Sequence, residues 1–337
     1  MTRTLSKPAD PRRAFSAETL VLDAERETSR ICEAIREQVL RSLRKRGAVV
    51  GLSGGIDSSV TIALAARALG PERVLAVFMP EKDSDSESLY LGRLVAEAAG
   101  VGHVTEDIEP MLTAAGCYQR RDGFIRRIVP EFGKGWGCKV VLANALAGSG
   151  YNITSLVVES PDGRQQTLRM PLEVYLGIVA ATNMKQRTRK QIEYYHADRL
   201  NYAVAGTPNR LEYDQGFFVK NGDGAADFKP IAHLYKSQVY QLAEHLGVPA
   251  EVRRRPPTTD TWSLAQTQEE FYFALPYQGM DLCLYGLEHG IPAEEVAAAA
   301  GLTAEQVGLV WQDIAAKRRA TAYLHAAPML VEDVVAG

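Results

Sequence analysis

The feature that most constrains the fold is a buried strand joined to a helix by a glycine turn. Residues 48–52 form a continuous apolar run with two β-branched valines (AVVGL), which is typical of a strand covered on both faces of a parallel sheet. Residues 57–69 follow a helical pattern that ends at Gly70 and Pro71. Between them, residues 53–58 read Ser-Gly-Gly-Ile-Asp-Ser. A strand, a tight turn and a helix in this order predict the start of a βαβ unit.

The same strand-and-helix unit then repeats along the chain. Apolar strands are predicted at 74–79 and 102–107, and the helix between them, at 84–99, is expected to begin with Ser84 as its N-cap. This alternation predicts an α/β protein with a mainly parallel, doubly wound, Rossmann-like sheet that helices cover on both faces. Further predicted elements are a helix at 174–199, a strand at 202–205, a helix at 235–246 and a helical C-terminal portion at 276–325.

The segment ahead of the first strand is predicted to be helical. Residues 15–46 place apolar side chains at near-helical spacing, with Glu, Arg and Lys between them. Gly47 is expected to end this segment as its C-cap.

Two regions fall outside the repeating pattern. Residues 1–14 are polar and contain two prolines and three arginines, so we expect a flexible tail. Residues 108–172 are less regular, and their clearest signal is a β-hairpin at 153–159 and 164–170 around a Pro-Asp-Gly turn. We therefore predict one domain over residues 15–330, with an insertion around 108–172.

Charge and composition argue against several classes of protein. The net charge of −3 does not favour a nucleic acid as the main partner. No apolar run reaches the length of about 18 residues that a membrane span needs, and the first residues lack the apolar stretch of a secretory signal. Four cysteines lie far apart and outside metal-ligand spacing: Cys32, Cys117, Cys138 and Cys283. Reduced thiols and a cytoplasmic location are therefore expected.

The glycine turn itself predicts a site for nucleotide phosphates. Gly54 and Gly55 leave no Cβ to block close approach, so successive backbone N–H groups can face an anion at the positive end of the following helix. Three hydroxyl groups can donate hydrogen bonds to phosphate oxygens: those of Ser53, Ser58 and Ser59. Asp57 would repel a bare phosphate, which predicts that it holds Mg²⁺. The structural alternative is a plain glycine-rich turn without a ligand. Residues 53–58 match neither the Walker A motif nor the dinucleotide-binding motif G-x-G-x-x-G.

A family resemblance adds the reaction. Residues 53–58 match the S-G-G-x-D-S motif of the PP-loop ATP pyrophosphatases. A second block at 206–239, from Gly-Thr-Pro-Asn-Arg-Leu-Glu through Lys-Asn-Gly-Asp-Gly to Leu-Tyr-Lys-Ser-Gln-Val, resembles the ammonia-dependent NAD synthetases of that superfamily. Residues 257–260 and the Asn-x-x-x-Arg-x-Arg pattern at 183–189 resemble further motifs of this family. The resemblance covers most of 16–107 and 174–262, is weak in 108–172 and is uneven beyond 263.

The resemblance implies a role for each matching residue. ATP would be bound by the turn residues together with Thr207, Lys236 and Thr258. Mg²⁺ would be held by Asp57 and Glu212. The acid dinucleotide substrate would be bound by Asn183 and Arg187. Asp223 would lie near the reacting carboxyl group and bind ammonia or ammonium, and a homodimer is implied as well.

Elementary chemistry agrees with these implied roles. A carboxylate is a poor electrophile, and transfer of AMP to it creates a mixed anhydride with a good leaving group. Mg²⁺ and Lys236 would neutralise the negative charge that gathers at the α-phosphate. Ammonium must lose a proton before it attacks, and Asp223 can bind the cation and accept that proton. The segment ahead of the first strand is too short for a glutaminase module, so free ammonia, or ammonia from another protein, is the expected donor.

Each assigned residue also has a purely structural reading. Lys236 can be a solvated helix lysine, and Asp223 a turn residue. Glu212 can stabilise a helix N-terminus, and Arg187 lies in a basic stretch, 185–190, that alone is typical of a solvated face.

Three alternative functions remain open from the sequence. The divergent segments 108–172 and 263–285 allow the same chemistry on another carboxylic acid, such as a mononucleotide. PP-loop proteins also modify tRNA, which favours a basic surface and placed cysteines. Residues 292–307 resemble a helix–turn–helix and the basic triplet at 317–319 lies close by, the pattern of a DNA-binding module.

Overall fold

A four-stranded parallel sheet forms the centre of the computed structural model, which describes residues 15–142, 154–258, 261–268, 272–273, 275–332 and 334. The strands in these residues are β1 (Ala48–Gly51), β2 (Val74–Phe78), β3 (Gly102–Thr105), β4 (Gly137–Leu142), β5 (Thr154–Glu159), β6 (Gln165–Arg169) and β7 (Ala203–Val204). The parallel sheet has the order β3-β2-β1-β7. The chain therefore winds outward from β1 and returns to its other side, which creates a topological switch point between β1 and β7.

Helices flank this sheet and continue into the C-terminal portion. They are α1 (Ala24–Arg36), α2 (Ile56–Leu69), α3 (Ser86–Ala98), α4 (Glu109–Ala114), α5 (Cys117–Ile125), α6 (Leu172–Leu200), α7 (Arg210–Gln215), α8 (Lys236–His245), α9 (Ala250–Arg254), α10 (Tyr277–His289), α11 (Ala293–Ala300) and α12 (Ala304–His325). Short 3₁₀ turns occupy Ala17–Leu20 and Pro71–Arg73, and a π-helical turn, Glu37–Ser42, extends α1.

Alternate side chains of the central strands build two cores, one on each face of the sheet. Val50 packs with residues of α1, α2, α3 and α8. Its neighbour Val49 points the other way and packs with Val77, Val204 and Ala197 of α6. Because side chains alternate along a strand, a strand that is apolar at every position must be covered on both faces. The prediction of a doubly wound parallel sheet is confirmed.

The insertion folds as a small antiparallel sheet of its own. Strands β5 and β6 form the predicted hairpin, which turns where Ser160 N donates to Arg164 O at 2.9 Å; residue 153 of that prediction lies outside the described residues. A third strand, β4, pairs with β5 and was missing from the sequence prediction. Together with α5 and the start of α6, these strands enclose a separate apolar cluster that includes Ile125, Leu156 and Trp262.

Two predicted helix ends were wrong. The helical segment ahead of β1 ends at Ser42, so Gly47 is not its C-cap. A Cβ on Gly47 would lie 2.2 Å from the carbonyl oxygen of Arg73, so that position needs glycine for close packing. Helix α3 is capped by Asp85, whose carboxylate accepts from Glu87 N at 2.9 Å, and not by Ser84.

The C-terminal helices pack against one another around a shared apolar cluster. Helices α10, α11 and α12 share one apolar cluster, and α12 begins with a capping box between Thr303 and Gln306. Two of the three basic residues that suggested DNA contact make ion pairs within the chain, Lys317 with Asp313 at 2.7 Å and Arg318 with Asp214 at 2.7 Å, while Arg319 is exposed. None of the helices in the described part of the chain has the length and apolar character to cross a membrane.

Candidate active site

A cavity of about 1010 Å³ opens at the carboxyl end of β1, beside the switch point. Most of the residues predicted for the site line it: Ser53, Gly55, Asp57, Ser58, Asn183, Arg187, Thr207, Glu212, Asp223, Lys236 and Thr258. They come from six separate segments of the chain. The structure therefore brings the predicted phosphate, carboxylate and acid-binding residues into one cavity.

The glycine turn is held in shape by its own hydroxyl groups. Gly55 N donates to Ser53 Oγ at 3.3 Å, and Ser53 Oγ lies 3.2 Å from Ser58 Oγ. Gly54 has a φ of 76°, and a Cβ there would lie 2.5 Å from the carbonyl oxygen of Ser88. Glycine is thus required at this position both by conformation and by space. The result is a compact turn with backbone N–H groups ahead of α2.

Two residues of the predicted phosphate set do not reach the cavity. Ser59 is fully buried and its hydroxyl donates to Gly55 O at 2.8 Å, so it serves the first turn of α2. Gly54 packs against α3.

Asp57 and Lys236 form a buried ion pair next to the turn. Lys236 Nζ donates to Asp57 Oδ2, and Asn209 Nδ2 donates to Asp57 Oδ1 at 3.0 Å. Only 2% of the Lys236 side chain and 15% of the Asp57 side chain are exposed. The interpretation of Lys236 as a solvated helix lysine is therefore wrong.

Glu212 lies beside this pair, in surroundings that disfavour its ionised form. One of its oxygens accepts from Asn209 N at 3.1 Å within the capping box of α7, and the other accepts from Gln268 Nε2 at 2.9 Å. Burial, followed by the negative charge of Asp57, raises the pKa of Glu212 to about 7. Glu212 thus has the predicted helix-capping role and also adds a second carboxylate to the cavity.

A buried acid on a C-terminal helix fixes the position of Lys236. Asp281 of α10 accepts hydrogen bonds from the backbone N–H groups of Lys236 at 3.1 Å and Ser237 at 2.7 Å. A carboxylate at a helix N-terminus pairs with the unsatisfied N–H groups of the first turn. Burial nevertheless raises the pKa of Asp281 to about 6. The helical C-terminal portion therefore anchors Lys236 through its backbone.

Asp223 belongs to a tight loop that also lines the cavity. Its Oδ1 accepts from Val219 N at 2.9 Å, and Asn221 has a φ of 61°. Burial raises the pKa of Asp223, while the nearby Lys190 opposes that shift. The turn role that the local sequence allows is present, and the carboxylate also lines the cavity.

Helix α6 also lines the cavity and carries Asn183 and Arg187. Arg187 is exposed, and its Nε donates to Lys220 O at 3.2 Å in the loop that holds Asp223. Its neighbours contradict the solvated-face interpretation, because Lys185 and Lys190 are buried. Lys190 Nζ lies 2.6 Å from Glu193 Oε2.

A buried ionic cluster joins α6 to the insertion and to the segment after β2. Lys185 Nζ donates to Glu81 Oε1 at 2.8 Å, to Asp83 Oδ2 at 2.6 Å and to Thr261 O at 2.8 Å. Arg121 of α5 completes it with a 2.5 Å contact to Asp83. Because four charges are buried together, each must keep its partners, so this cluster fixes the relative positions of three segments that border the cavity.

Several residues of the site were not identified from the sequence. They are Asn209, Gln268, Asp281, Arg189 and the pair Lys190–Glu193. Two of them carried a usable signal, because Asn three residues before Glu is a capping-box pattern and Arg189 ends the Asn-x-x-x-Arg-x-Arg pattern at 183–189. Gln268 and Asp281 act through contacts between distant parts of the chain, whereas Lys190 and Glu193 are three residues apart on α6.

The fold and the turn together define a class of enzyme. A doubly wound parallel sheet, with the S-G-G-x-D-S turn after its first strand and acidic and basic side chains around it, is the arrangement of a PP-loop α/β enzyme. A crevice at the switch point is where such sheets bind their ligands.

Comparison with known proteins gives the family. The model of the NAD synthase family matches residues 27–124 and 154–321, so the chain belongs to the NAD synthase family. The NH(3)-dependent NAD(+) synthetase of Rhizobium meliloti (strain 1021) is 70% identical over 328 residues, which cover 97% of this chain and 98% of that protein. The protein of the same name from Rhizobium rhizogenes (strain K84) is 66% identical over 321 residues, 95% of this chain and 97% of that one.

Solved structures agree on the fold. The NMN synthetase from Francisella tularensis matches 92% of this chain and 99% of its own, with a TM-score of 0.63 and 21% identity. At that identity the likeness concerns the fold alone.

Proposed function

We propose that this protein is an ammonia-dependent NAD synthetase. In the reaction, ATP adenylates the carboxylate of nicotinate adenine dinucleotide, and ammonia then displaces AMP to give NAD, AMP and pyrophosphate. The observation that carries the proposal is the meeting of the glycine turn, the Asp57–Lys236 pair, Glu212 and Asp223 in one cavity. Family membership and the relatives' names support the same reaction.

The glycine turn and its neighbours would bind ATP. The N–H groups ahead of α2, with the hydroxyls of Ser53 and Ser58, would hold the phosphates at the positive end of the helix. Thr207 and Thr258 line the same cavity and would contact the nucleotide. Lys236 would stabilise charge at the α-phosphate, and its burial makes that charge effective because little water screens it.

The donor set fits a magnesium ion. Asp57 and Glu212 are two neighbouring carboxylates, and burial together with the charge of Asp57 raises the pKa of Glu212. A divalent cation would relieve that repulsion, and oxygen ligands are the ones that Mg²⁺ prefers. When bound, Mg²⁺ would neutralise phosphate charge.

Asp223 would serve the second half of the reaction. An anionic carboxylate in a desolvated loop can bind ammonium and accept the proton that ammonium must lose before attack. The acid would be bound along α6 by Asn183 and Arg187. We further propose a single domain over 15–330 and a homodimer, both of which rest on the family. We also propose a cytoplasmic location, which rests on the family and on the four buried, unpaired cysteines.

Product analysis tests this function. Enzyme, ATP, Mg²⁺ and ammonium are incubated with nicotinate adenine dinucleotide, its mononucleotide and unrelated carboxylates, and amide, AMP and pyrophosphate are measured. We expect amide formation to be fastest with the dinucleotide. A clear preference for another acid would contradict the proposed substrate and leave the adenylation chemistry standing.

A further inference from the structure

Lys190 and Glu193 of α6 form a buried ion pair to which the proposed reaction assigns no role. Lys190 Nζ donates to Glu193 Oε2 at 2.6 Å, and only 6% and 8% of the two side chains are exposed. Both residues line the cavity. Burial of two charges has a free-energy cost that an apolar pair of similar size would avoid. We therefore expect the pair to serve the cavity rather than stability.

The ion pair lies between the end of β1 and the loop of the acid that is proposed to bind ammonium. Gln186, one turn before Lys190, packs against that loop, since a Cβ on Gly222 would lie 2.9 Å from the Cβ of Gln186. One turn after Lys190, Glu193 packs against β1, since a Cβ on Gly51 would lie 2.6 Å from Glu193 Oε1. Residues four and seven positions apart share one helix face, so Lys190 is the end of the pair that is nearer the loop.

Charged groups from α6 and from the segment after β7 act on Asp223. Burial raises the pKa of Asp223, the charge of Lys190 opposes that shift, and the charge of Glu193 adds to it. From the segment after β7, Lys229 Nζ donates to Gly224 O at 2.7 Å. Burial and the charge of Lys190 lower the pKa of Lys229. Lys190 thus stabilises the ionised form of Asp223, which burial disfavours.

The amidation half of the reaction needs Asp223 in its ionised form. Its proposed role is to bind ammonium and to accept the proton that ammonium loses, and a protonated carboxyl group can do neither. A lone lysine beside it would also repel ammonium. Because Lys190 is paired with Glu193, the two charges largely cancel at a distance. The pair therefore acts on the carboxylate that Lys190 faces more than on a cation further out in the cavity.

We propose that Lys190 is a positioning residue for the amidation step: oriented by Glu193, it keeps Asp223 ionised, and the pair thereby sets the pH range in which ammonium is used. This inference rests on the proposed function, because that function gives Asp223 its role. The alternative is an ion pair that only joins α6 to β1.

Reversal of the ion pair separates the two roles. In the double variant Lys190→Glu with Glu193→Lys the same two charges remain paired, but the negative end now faces Asp223. The value of kcat/KM for ammonium is measured against pH with saturating ATP, Mg²⁺ and acid. The equilibrium between ammonia and ammonium is the same for every variant and cancels in the comparison. We expect the acid limb of the reversed variant to lie about 1 pH unit or more higher than that of the wild type, whereas Lys190→Arg should keep the wild-type profile.

Asp223→Asn identifies the origin of the acid limb. In that background the reversal should no longer move the pH profile of the residual rate. If the reversed variant does not fold, Lys190→Met with Glu193→Leu takes its place, and a smaller shift in the same direction is expected. A folded variant whose acid limb coincides with that of the wild type would overturn the proposal. So would a kcat that falls by the same factor at every pH, because that is the mark of a structural role.

A titration without substrates distinguishes failure of this inference from failure of the proposed function. The protein is labelled with ¹³C at the carboxyl carbons of aspartate, and the Asp223 signal is identified by its absence from Asp223→Asn. That signal should titrate at a higher pH in the reversed variant than in the wild type. Equal titration would overturn the proposal even if the wild type forms NAD. The expected titration in a protein that forms no NAD would contradict the proposed function and leave the electrostatic role of Lys190 standing.

Discussion

At the residue scale, the ligand-free site holds buried charges that are not fully neutralised by one another. Asp57 is neutralised by Lys236, but Glu212 is left as a buried carboxylate beside them. The folded state therefore favours the protonated form of Glu212. The proposed function needs the ionised form of Glu212, whereas the ligand-free protein is more stable with Glu212 protonated.

Glu212 gives a prediction with a defined sign. Its pKa is about 7 in the folded protein against an ordinary value of 4.5. A raised pKa of an acid contributes stability that is complete below about pH 4.5 and is lost as the pH rises through about 7. Replacing Glu212 by Gln should therefore raise the ligand-free unfolding free energy at pH 8 by about 1–3 kcal/mol and leave it little changed at pH 4.5. Chemical denaturation at both pH values measures the difference.

The same variant should lose activity, because the second carboxylate of the Mg²⁺ site is gone. A Glu212→Gln protein that is less stable than the wild type at high pH would contradict the electrostatic account. Full turnover in that variant would remove the proposed metal role.

At the element scale, short helix ends position the reacting groups. Asn209 closes the capping box of α7 with Glu212 and also donates to Asp57. One side chain thus links helix stability to the geometry of the carboxylates.

Asn209 and Thr303 provide a matched pair of capping-box variants. Thr303 closes the same motif at the start of α12, and it does not line the cavity. Each change to Ala should cost about 1 kcal/mol of stability. Only Asn209→Ala should also lower kcat, by roughly 10-fold or more, because Asp57 loses a charge-assisted hydrogen bond. Steady-state kinetics and thermal unfolding decide this, and equal kinetic effects would argue against a positioning role.

A second pair concerns glycines with positive φ. Gly54 and Gly301 have φ values of 76° and 68°, but an added Cβ meets Ser88 O at 2.5 Å only at Gly54, whereas nothing lies within 4 Å at Gly301. Both changes to Ala should add conformational strain of about 1 kcal/mol. Gly54→Ala should in addition weaken ATP binding, measured by calorimetry. Unchanged affinity would mean that the turn tolerates displacement.

At the scale of the whole molecule, buried ion pairs join the insertion to the sheet. Lys185 of α6 bonds to Asp83 in the segment after β2 and to Thr261 O. Arg121, in the insertion, forms an ion pair with the same Asp83. Replacing Lys185 by Met should cost about 3–5 kcal/mol, because two carboxylates lose their main partner. Arg127→Met, which removes an exposed pair with Glu173, should cost at most about 1 kcal/mol. Hydrogen exchange should show lost protection in β4–β6 for the first variant only.

The sequence predicted the parts of the molecule that depend on local pattern. The strand at 48–52, the turn and α2 follow from apolar runs and glycines, and the structure has the glycine turn at the switch point. Strand β4 was missed because its partner β5 begins 12 residues after β4 ends, and a pairing across that distance leaves no local pattern. The Asp57–Lys236 ion pair joins residues 179 positions apart, and no local pattern reports such a contact.

The central claim is that ATP energy enters through adenylation of a carboxylate, and the products of one reaction test it most directly. Purified protein is incubated with ATP, Mg²⁺, ammonium and nicotinate adenine dinucleotide, and all nucleotide products are quantified. The account predicts that one AMP and one pyrophosphate form for each NAD. Formation of ADP and inorganic phosphate in their place would contradict it.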